Sequence, residues 1–439
     1  MIGLKKYKMD LKEQLITSYT SLENSTTHPH LLKLRKEAIK TFKEKGFPTI
    51  HDEEWKYTSL RNVLKTSYKV FSHTNSIDKT LVSKYLLDDL ESYTLVFVNG
   101  IFSPDFSTIL EEDIVIQNIS SALKDTHYQN IISNHLGSIT SKKDSFSALN
   151  TSYAKEGLFV YVPKGKIVNK TVQVLYLYME NTFNQPRNLI VAEDCTEIKI
   201  FEQHKTISES AVFTNAVTEI VVGKEAHVQY YKIQNDQETS SLVDNTFIAH
   251  EEKSTVSVYT FSFNGNIVRN NLNFYHKGEF LESNMYGISF LKGDTLVDNH
   301  TLIKHQVPNC ESNELYKSIY DENSKGVFNG KVLVNKIAQK TNAYQQNDNV
   351  LLSENASIDT KPQLEIFADD VLCSHGCTVG QLDETGLFYL RQRGIPEKEA
   401  KALLLFAFTS EVMEKVTVDP IKNHVNKIIS ERLHVDLEF

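Results

Sequence analysis

Three side chains that can bind metal ions lie on every second residue of one short segment, ADDVLCSHGCTVGQLDE, residues 368–384. They are Cys373, His375 and Cys377. Side chains two residues apart project from the same face of an extended strand, so the segment predicts an edge lined by two thiols and an imidazole. Thiolate and imidazole groups are typical ligands of zinc and iron–sulfur centres.

Three ligands on one segment are fewer than a closed metal site needs. A structural zinc site has four ligands, usually from two separated segments. The nearest candidates for a second pair, His305 and Cys310, lack a convincing spacing. The sequence therefore predicts no metal site within the single chain. Two interpretations stay open: the cysteines are packed thiols and His375 is a hydrogen-bonded structural residue, or the set is half of a site that another subunit completes.

The composition is that of a folded protein without a strongly charged surface. Of the 439 residues, 40% are hydrophobic and 23% are charged, and 47 Lys and Arg against 56 Asp and Glu give a net charge of -9. Because no block of like charges occurs, this balance argues against a nucleic-acid or membrane partner.

The start of the chain and its cysteines predict a cytoplasmic protein. Charges interrupt the first twenty residues before an apolar signal core can form, and no apolar run approaches the ~20 residues that span a bilayer. Four cysteines in such a chain are expected to be reduced thiols. Cys195 and Cys310 stand alone, and we expect each to be a buried small hydrophobic residue.

Helical patterns at both ends of the chain enclose a long β-rich middle. Apolar residues at helical spacing predict a helix that ends at Gly46, and Asn99-Gly100 predicts a hairpin turn. From about residue 157 to 371, short β-rich runs follow one another without crossover helices. This pattern leaves a sandwich, a barrel, a propeller or a β-helix, and a parallel β-helix accommodates the length most easily.

The C-terminal region predicts three short helices. The first runs from a capping Asp383 to Gly394, the second begins near Pro396, and the third begins with a capping Asp419 before Pro420. Three helices in this space are too few for a core of their own, so they must dock on the β body or on a partner. The predicted domains are a mostly helical domain at 1–150, a parallel β-helix core at 151–378 and a helical domain at 379–439.

Neither a phosphate-binding loop nor a glycosidase carboxylate pair fits the sequence. The segment GVFNGKV, residues 326–332, lacks the spacing of a phosphate-binding loop and has Val332 where a magnesium-binding hydroxyl is required. We therefore expect no nucleotide bound by this chain and no catalysis. The acidic pairs Asp369-Asp370 and Asp383-Glu384 are adjacent, so they do not form the separated carboxylates of a glycosidase. A carbohydrate-active β-helix enzyme ranks last.

Two segments resemble a known family. The block KTNAYQQNDNVLLSENASIDTKPQLEIFADDVLCSHGCTVGQLDETGLFYLRQRGI, residues 340–395, is similar to the C-terminal part of the SufB/SufD family, subunits of the SUF iron–sulfur cluster assembly scaffold. DEEWKYTSL, residues 52–60, resembles the N-terminal signature of that family. Within the family, Cys-Ser-His-Gly at 373–376 is similar to the SufD branch, because the SufB branch tends to carry Glu-His-Glu-Ala there.

The resemblance implies a mainly β fold, a right-handed parallel β-helix flanked by N-terminal and C-terminal helical domains. It implies a heterodimer with a SufB-like subunit that binds a SufC-like ATPase through the C-terminal helices, with ATP hydrolysed in that partner. A transient iron–sulfur cluster would form at the heterodimer interface. His375 matches the family histidine that faces a SufB cysteine, and Cys373 matches the neighbouring family cysteine.

One residue departs from the family pattern, and two other interpretations compete with the family role. Cys377 occupies a position where the family frequently has alanine, so it is kept as a candidate metal ligand without a family role. In isolation the chain is a candidate homodimer. The competing interpretations are a purely structural pseudo-subunit without a ligand role and an independent zinc-binding β protein.

Overall fold

The described part of the chain forms two large β-sheets with helices before and after them. The computed structural model describes residues 10–23, 28–71, 77–108, 110–111, 114–140 and 144–435. The first nine residues, on which part of the signal-peptide prediction rests, lie outside this set.

The first sheet has 10 strands among the described residues, and from β6 onward each strand pairs in parallel with the next strand of the sheet. In spatial order the strands are β2 (Ile101–Phe102), β1 (Ser92–Val98), β6 (Thr171–Tyr178), β9 (Glu197–Thr206), β11 (His227–Asn235), β13 (Thr255–Asn264), β15 (Glu282–Leu291), β17 (Glu311–Tyr320), β19 (Thr341–Leu351) and β22 (Val371–Gly380).

The second sheet has 12 strands among the described residues. They are β3 (Leu110–Glu111), β4 (Val115–Asn118), β5 (Leu158–Val162), β7 (Phe183–Asn184), β8 (Arg187–Ala192), β10 (Val212–Val222), β12 (Ser240–His250), β14 (Ile267–His276), β16 (Leu296–His305), β18 (Lys325–Val334), β20 (Ser357–Thr360) and β21 (Gln363–Ile366). Because the chain alternates between the sheets, the strands coil into a parallel β-solenoid of about 8 turns. The predicted β-helix fold is confirmed.

The interior of the solenoid changes from apolar to polar along its length. Side chains on alternate residues point inward, and register aligns them in rows across successive strands. One such row consists of Ile200, Tyr230, Val258, Met285, Glu314, Gln345 and His375. The row begins among core residues such as Ile200 and Val258 and ends on polar residues in the last three strands.

N-terminal helices cover the outer face of the second sheet, and one of them packs through Val82 on β1 and β6 of the first sheet. They are α1 (Leu11–Glu23), α2 (Pro29–Lys45), α3 (Arg61–Lys65), α4 (Lys79–Ser83), α5 (Ile119–Ala122), α6 (Thr126–His135) and α7 (Ser145–Tyr153). Leu15, Phe42 and Leu149 from three of these helices share one apolar cluster with Phe213 and Val243 of the sheet.

The segment at 52–60 binds to the second sheet through mixed contacts. The Trp55 ring lies 4.1 Å from the Arg269 guanidinium carbon, and Arg269 donates a hydrogen bond of 2.6 Å to the Glu54 carbonyl oxygen. Arg269 also pairs with the buried Asp298 carboxylate at 2.6 Å. At the far end of the sheet, Lys361 reaches Glu53 at 2.7 Å. The segment therefore connects the N-terminal region to the last coil of the solenoid.

Three C-terminal helices follow the solenoid: α8 (Glu384–Gln392), α9 (Glu397–Met413) and α10 (Asp419–Leu433). Leu405 of α9 and Val425 of α10 pack with Tyr231 and Tyr259 on the outer face of the first sheet. The appendage thus docks on the β body, as its size predicts. Within the described residues, no helix is both long enough and apolar enough to cross a bilayer.

Several local predictions about turns and helix ends are confirmed and one is wrong. Gly46 ends α2 with φ 68°, Asn99 and Gly100 form the turn between β1 and β2 with positive φ, and the Asp383 carboxylate caps α8. The predicted cap at Asp419 is wrong, because α10 begins at Asp419 and Val418 holds the capping position. The divisions at 150/151 and 378/379 stay predictions.

The two isolated cysteines differ in burial. Cys310 is fully buried, as predicted, and burial raises the pKa of its thiol to about 11. Cys195 was predicted to be buried, and this is wrong: it is exposed in a turn with φ 56°. The turn explains the difference, because a residue at a solenoid corner points away from the interior.

Candidate functional site

The candidate site is the terminal strand β22, which lies at the edge of the first sheet. It pairs along one side with β19, and within the described residues its other side carries no strand. The register places Cys373 beside Ala343, His375 beside Gln345, and Cys377 beside Asn347. Because Ala343, Gln345 and Asn347 are buried inside the solenoid, the three candidate ligands lie on the inward face of the last strand.

His375 is exposed at this edge. Within the described residues, its ring takes part in no hydrogen bond or ion pair. Behind it, Gln345 donates a hydrogen bond of 2.7 Å to the Glu314 carboxylate, and burial raises the pKa of Glu314 to about 7. His375 therefore presents an unengaged imidazole at the end of a buried polar row.

Cys377 is exposed and has two polar neighbours. Its sulfur lies 3.1 Å from the Thr360 hydroxyl oxygen and 3.8 Å from the Asn347 side-chain oxygen. Thr360 belongs to β20 of the opposite sheet, so this contact spans the open end of the solenoid. The arrangement holds the thiol beside hydrogen-bonding groups and leaves it accessible.

Cys373 is half-buried and contacts apolar residues. It packs against a cluster that includes Val332, Ala343 and Ala368. Burial raises the pKa of its thiol, although a backbone hydrogen bond at Ala343 acts in the opposite direction. Because a metal ligand must be the thiolate, this environment disfavours Cys373 as a ligand relative to an exposed thiol.

The three side chains do not converge on one point. Alternate residues of a strand are about 6.6 Å apart, whereas zinc–sulfur bonds are only about 2.3 Å long. Within the described residues, no group of three or more His, Cys, Asp and Glu side chains is arranged to hold a metal ion. The edge therefore offers separate donors that can each contribute to a larger centre.

Sequence reasoning missed the polar residues around these donors. Thr360, Asn347, Gln345 and Glu314 were not identified as part of the site. The signal for two of them was present, because Gln345 and Asn347 are polar residues at alternate positions of a β-rich run. Thr360 could not be found this way, since its contact with Cys377 depends on how the two sheets face each other.

Exposed apolar side chains surround the candidate site. Phe367 is 61% exposed, Leu372 is 64% exposed and Val379 is 49% exposed, and all three lie in the last coil. At Gly376 an added Cβ would meet nothing within 4 Å, so the outer face of β22 is open there. An unpaired strand edge with exposed apolar residues is a site for pairing with another chain.

The fold and the site define a parallel β-solenoid that presents one imidazole and two thiol side chains on an open strand edge. Residues 9–174 match the model of the SufBD protein N-terminal region, and residues 176–408 match the model of the SUF system FeS cluster assembly SufBD core domain. The chain belongs to the SufBD family of iron–sulfur cluster assembly proteins. This membership assigns it a role in the SUF system.

Three relatives agree with the family models. An iron-sulfur cluster assembly SufBD family protein of Synechocystis sp. is 32% identical over 96% of this chain and 94% of its own length. The iron-sulfur cluster assembly protein SufD of Escherichia coli is 28% identical over 88% of this chain and 90% of its own length. The chloroplastic protein ABCI7 of Arabidopsis thaliana is 29% identical over 96% of this chain and 91% of its own length.

Proposed function

We propose that this chain is a SufD-type scaffold subunit that pairs with a SufB-like subunit and a SufC-like ATPase. The nascent iron–sulfur cluster is its cargo, built at the interface with the SufB-like subunit and then released. The observation that carries the proposal is the exposed, unengaged imidazole of His375 on the unpaired edge of β22.

The strand edge supports pairing with another subunit. The ten residues of β22 leave one row of backbone donors and acceptors without a strand partner among the described residues. A strand from the partner can add to this edge through backbone hydrogen bonds. The exposed Leu372 and Phe367 would then be covered, which would contribute hydrophobic stabilisation.

The donors support a shared site. An imidazole nitrogen is a ligand for iron, and a cluster can take its other ligands from the facing subunit. His375 is the proposed ligand from this chain, and Cys373 is the neighbouring candidate although its half-buried thiol favours the protonated form. Cys377 is more accessible than Cys373 and is the stronger thiol candidate on geometry.

The C-terminal helices support docking of the ATPase. Helix α8 buries none of its side chains, and its Phe388 and Tyr389 are 64% and 57% exposed. These aromatic residues offer a binding surface beside the solenoid end. In this proposal the chain itself is not catalytic, because ATP is bound and hydrolysed by the partner.

A site divided between two chains gives a route to release. Each subunit supplies only part of the ligand set, so a relative movement of the subunits removes ligands and loosens the cluster. The ATPase would supply that movement through the C-terminal helices. We propose the cytoplasm as the compartment of this assembly, because free cysteines are typical of a reducing compartment.

The first prediction concerns His375 itself. In the complete complex, His375→Ala is expected to reduce cluster formation at least about tenfold, because one ligand is lost from a site with few alternatives. The cluster would be measured by absorbance and by iron and sulfide content after anaerobic reconstitution. Size-exclusion chromatography would show whether the subunits remain associated.

The matched control is His227→Ala, since His227 is an exposed histidine on β11 of the same sheet. That variant should assemble clusters at the wild-type rate. Normal cluster formation in an intact His375→Ala complex would contradict the ligand role. The chain would then be a structural subunit, with the cluster chemistry located on its partner.

A further inference from the structure

A row of polar residues crosses the outer face of the first sheet near its open end. Register aligns Lys317 of β17 with Asp348 of β19, and Asp348 with Thr378 of β22. The Lys317 amine donates to the Asp348 carboxylate at 2.7 Å, and the Thr378 hydroxyl donates to the other oxygen of that carboxylate at 2.8 Å. Three neighbouring strands are therefore joined by side chains as well as by backbone.

The same lysine contacts helix α9. Its amine lies 2.9 Å from the Glu411 carboxylate and 5.1 Å from the centre of the Phe408 ring. Both residues belong to α9, which packs on the outer face of the sheet. The Lys317 side chain is only 10% exposed, so its positive charge must be stabilised by contacts within the protein. These contacts are the carboxylates of Asp348 and Glu411 and the Phe408 ring.

The row ends beside the candidate site. Thr378 follows Cys377 directly in β22. Its carbonyl oxygen accepts a hydrogen bond of 3.0 Å from Asn349, and Asn349 also donates to Asn347 at 2.8 Å. Asn347 in turn lies beside the Cys377 sulfur. Contacts on both faces of the sheet therefore fix β22 at residues 377 and 378.

The charges of the row depend on one another. Burial lowers the pKa of Lys317, but hydrogen bonds to Asp348 and Glu411 outweigh this effect and leave the pKa raised. Burial raises the pKa of Asp348, whereas the hydrogen bonds from Lys317 and Thr378 outweigh it and leave the pKa lowered. A displacement of Glu411 would thus alter the hydrogen bond between Lys317 and Asp348. Because Asp348 also accepts from Thr378, the position of Thr378 would change as well.

We propose that Lys317 is a positioning residue that connects helix α9 to the strand carrying His375 and Cys377. It acts through Asp348 and Thr378, without contact to the cargo. This inference rests on the proposed function, since it gives the path by which a partner bound to the C-terminal helices moves the cluster-holding strand. The structural connection itself can be measured on the chain without any cluster.

The test uses two local readouts on the full-length chain. Amide hydrogen exchange reports opening of residues 371–380, and the alkylation rate of Cys377, followed by peptide mass spectrometry, reports its access. Glu411→Gln removes the ion pair between α9 and Lys317 and is expected to raise both the exchange rate and the alkylation rate roughly threefold. Lys317→Met removes its centre, with an expected rise of roughly tenfold, the factor for loss of a charge-assisted hydrogen bond.

Controls separate this connection from general destabilisation. Glu414→Gln changes a charge on the exposed surface at the end of the same helix and should leave both rates unchanged. Lys317→Arg keeps the charge and should restore most of the wild-type behaviour. Exchange in β11 and β13, which lie outside the row, should be equal in all variants.

The outcome decides the inference independently of cluster assembly. If Glu411→Gln leaves exchange in β22 and alkylation of Cys377 at wild-type rates, the connection is refuted. In the complete complex, addition of ATP should alter Cys377 alkylation in the wild type and should have less effect in Lys317→Met. If the wild-type complex forms no cluster, the proposed function fails, while the exchange result still decides the connection.

Discussion

Glu314 is a buried carboxylic acid two strands behind His375. It lies in the inward row with Gln345, whose amide donates to one carboxyl oxygen. Burial raises its pKa from 4.5 to about 7. Between these pH values the folded state retains a proton that the unfolded state has lost, so the stability that Glu314 contributes is present below about pH 4.5 and is lost as the pH rises through 7.

Glu314→Gln keeps the shape and the hydrogen bond of this side chain and removes its titration. We expect the variant to be more stable than the wild type at pH 8, by about 3 kcal/mol, the free energy that corresponds to the displaced pKa. At pH 4.5 the difference should be small. Urea unfolding at both pH values measures it. If the two proteins differ in free energy of unfolding by the same amount at pH 4.5 and at pH 8, Glu314 does not retain its proton in the folded state.

Among single residues, those defined by local pattern could be predicted from the sequence. Alternation alone indicates that Cys373, His375 and Cys377 share one face of a strand, and the structure has this arrangement. Lys317 and Thr360 could not be identified in this way. Their partners Cys377 and Asp348 are 17 and 31 residues away in the sequence. Which residues align depends on the lengths of the solenoid corners, which local propensity does not determine.

At the scale of elements, a column of buried histidines lies where three strands of the second sheet end. His250, His276 and His305 belong to β12, β14 and β16, with ring centres 5.0 and 4.4 Å apart. Ser283 bonds the first two rings at 3.0 and 2.8 Å. Burial lowers the pKa of His250 and His305 to about 3 and that of His276 well below its usual value.

These histidines predict a loss of stability in acid. Because their folded pKa values lie below that of an unfolded histidine, near 6.5, their contribution is complete above pH 6.5 and is lost as the pH falls. Each should cost about 2 kcal/mol between pH 7 and pH 5. His276→Asn should reduce this pH-dependent loss by about that amount, although the variant is less stable at pH 7.

Denaturant unfolding at pH 7 and pH 5 measures the effect. His227→Asn, at an exposed position, should leave the pH dependence as it is in the wild type. If His276→Asn loses as much stability between the two pH values as the wild type does, the histidine column is not responsible for the acid sensitivity.

The elements themselves were predictable where turns and caps are local. Asn99-Gly100, Gly46 and Asp383 each mark the end or start of an element as their residue types indicate. The choice of a solenoid was not determined by composition, because short strands with turns also suit sandwiches and barrels. The resemblance to a known family favoured the solenoid over the sandwich and the barrel. The parallel strand registers confirm the solenoid.

At the scale of the whole molecule, the two ends of the solenoid differ. At the N-terminal end, β1 to β4 and the N-terminal helices cover the first coil. At the other end, β22 is left as an open edge with His375 exposed. Helix α9 joins the outer face close to this edge, through Lys317 and the apolar contacts of Leu405. One end of the molecule thus combines the open edge of β22 with a helix that contacts the same sheet through Lys317.

The central claim is that the edge at His375 becomes a binding site for the cluster only when a second subunit closes over it. Anaerobic iron and sulfide titration of the isolated chain and of its complex with the SufB-like subunit, with nitrogen-15-labelled histidine and pulsed electron paramagnetic resonance, tests this directly. We predict weak binding by the isolated chain, and in the complex a bound cluster with a histidine nitrogen signal that His375→Ala removes. Tight, stoichiometric binding by the isolated chain, or a cluster in the complex without that signal, would contradict the claim.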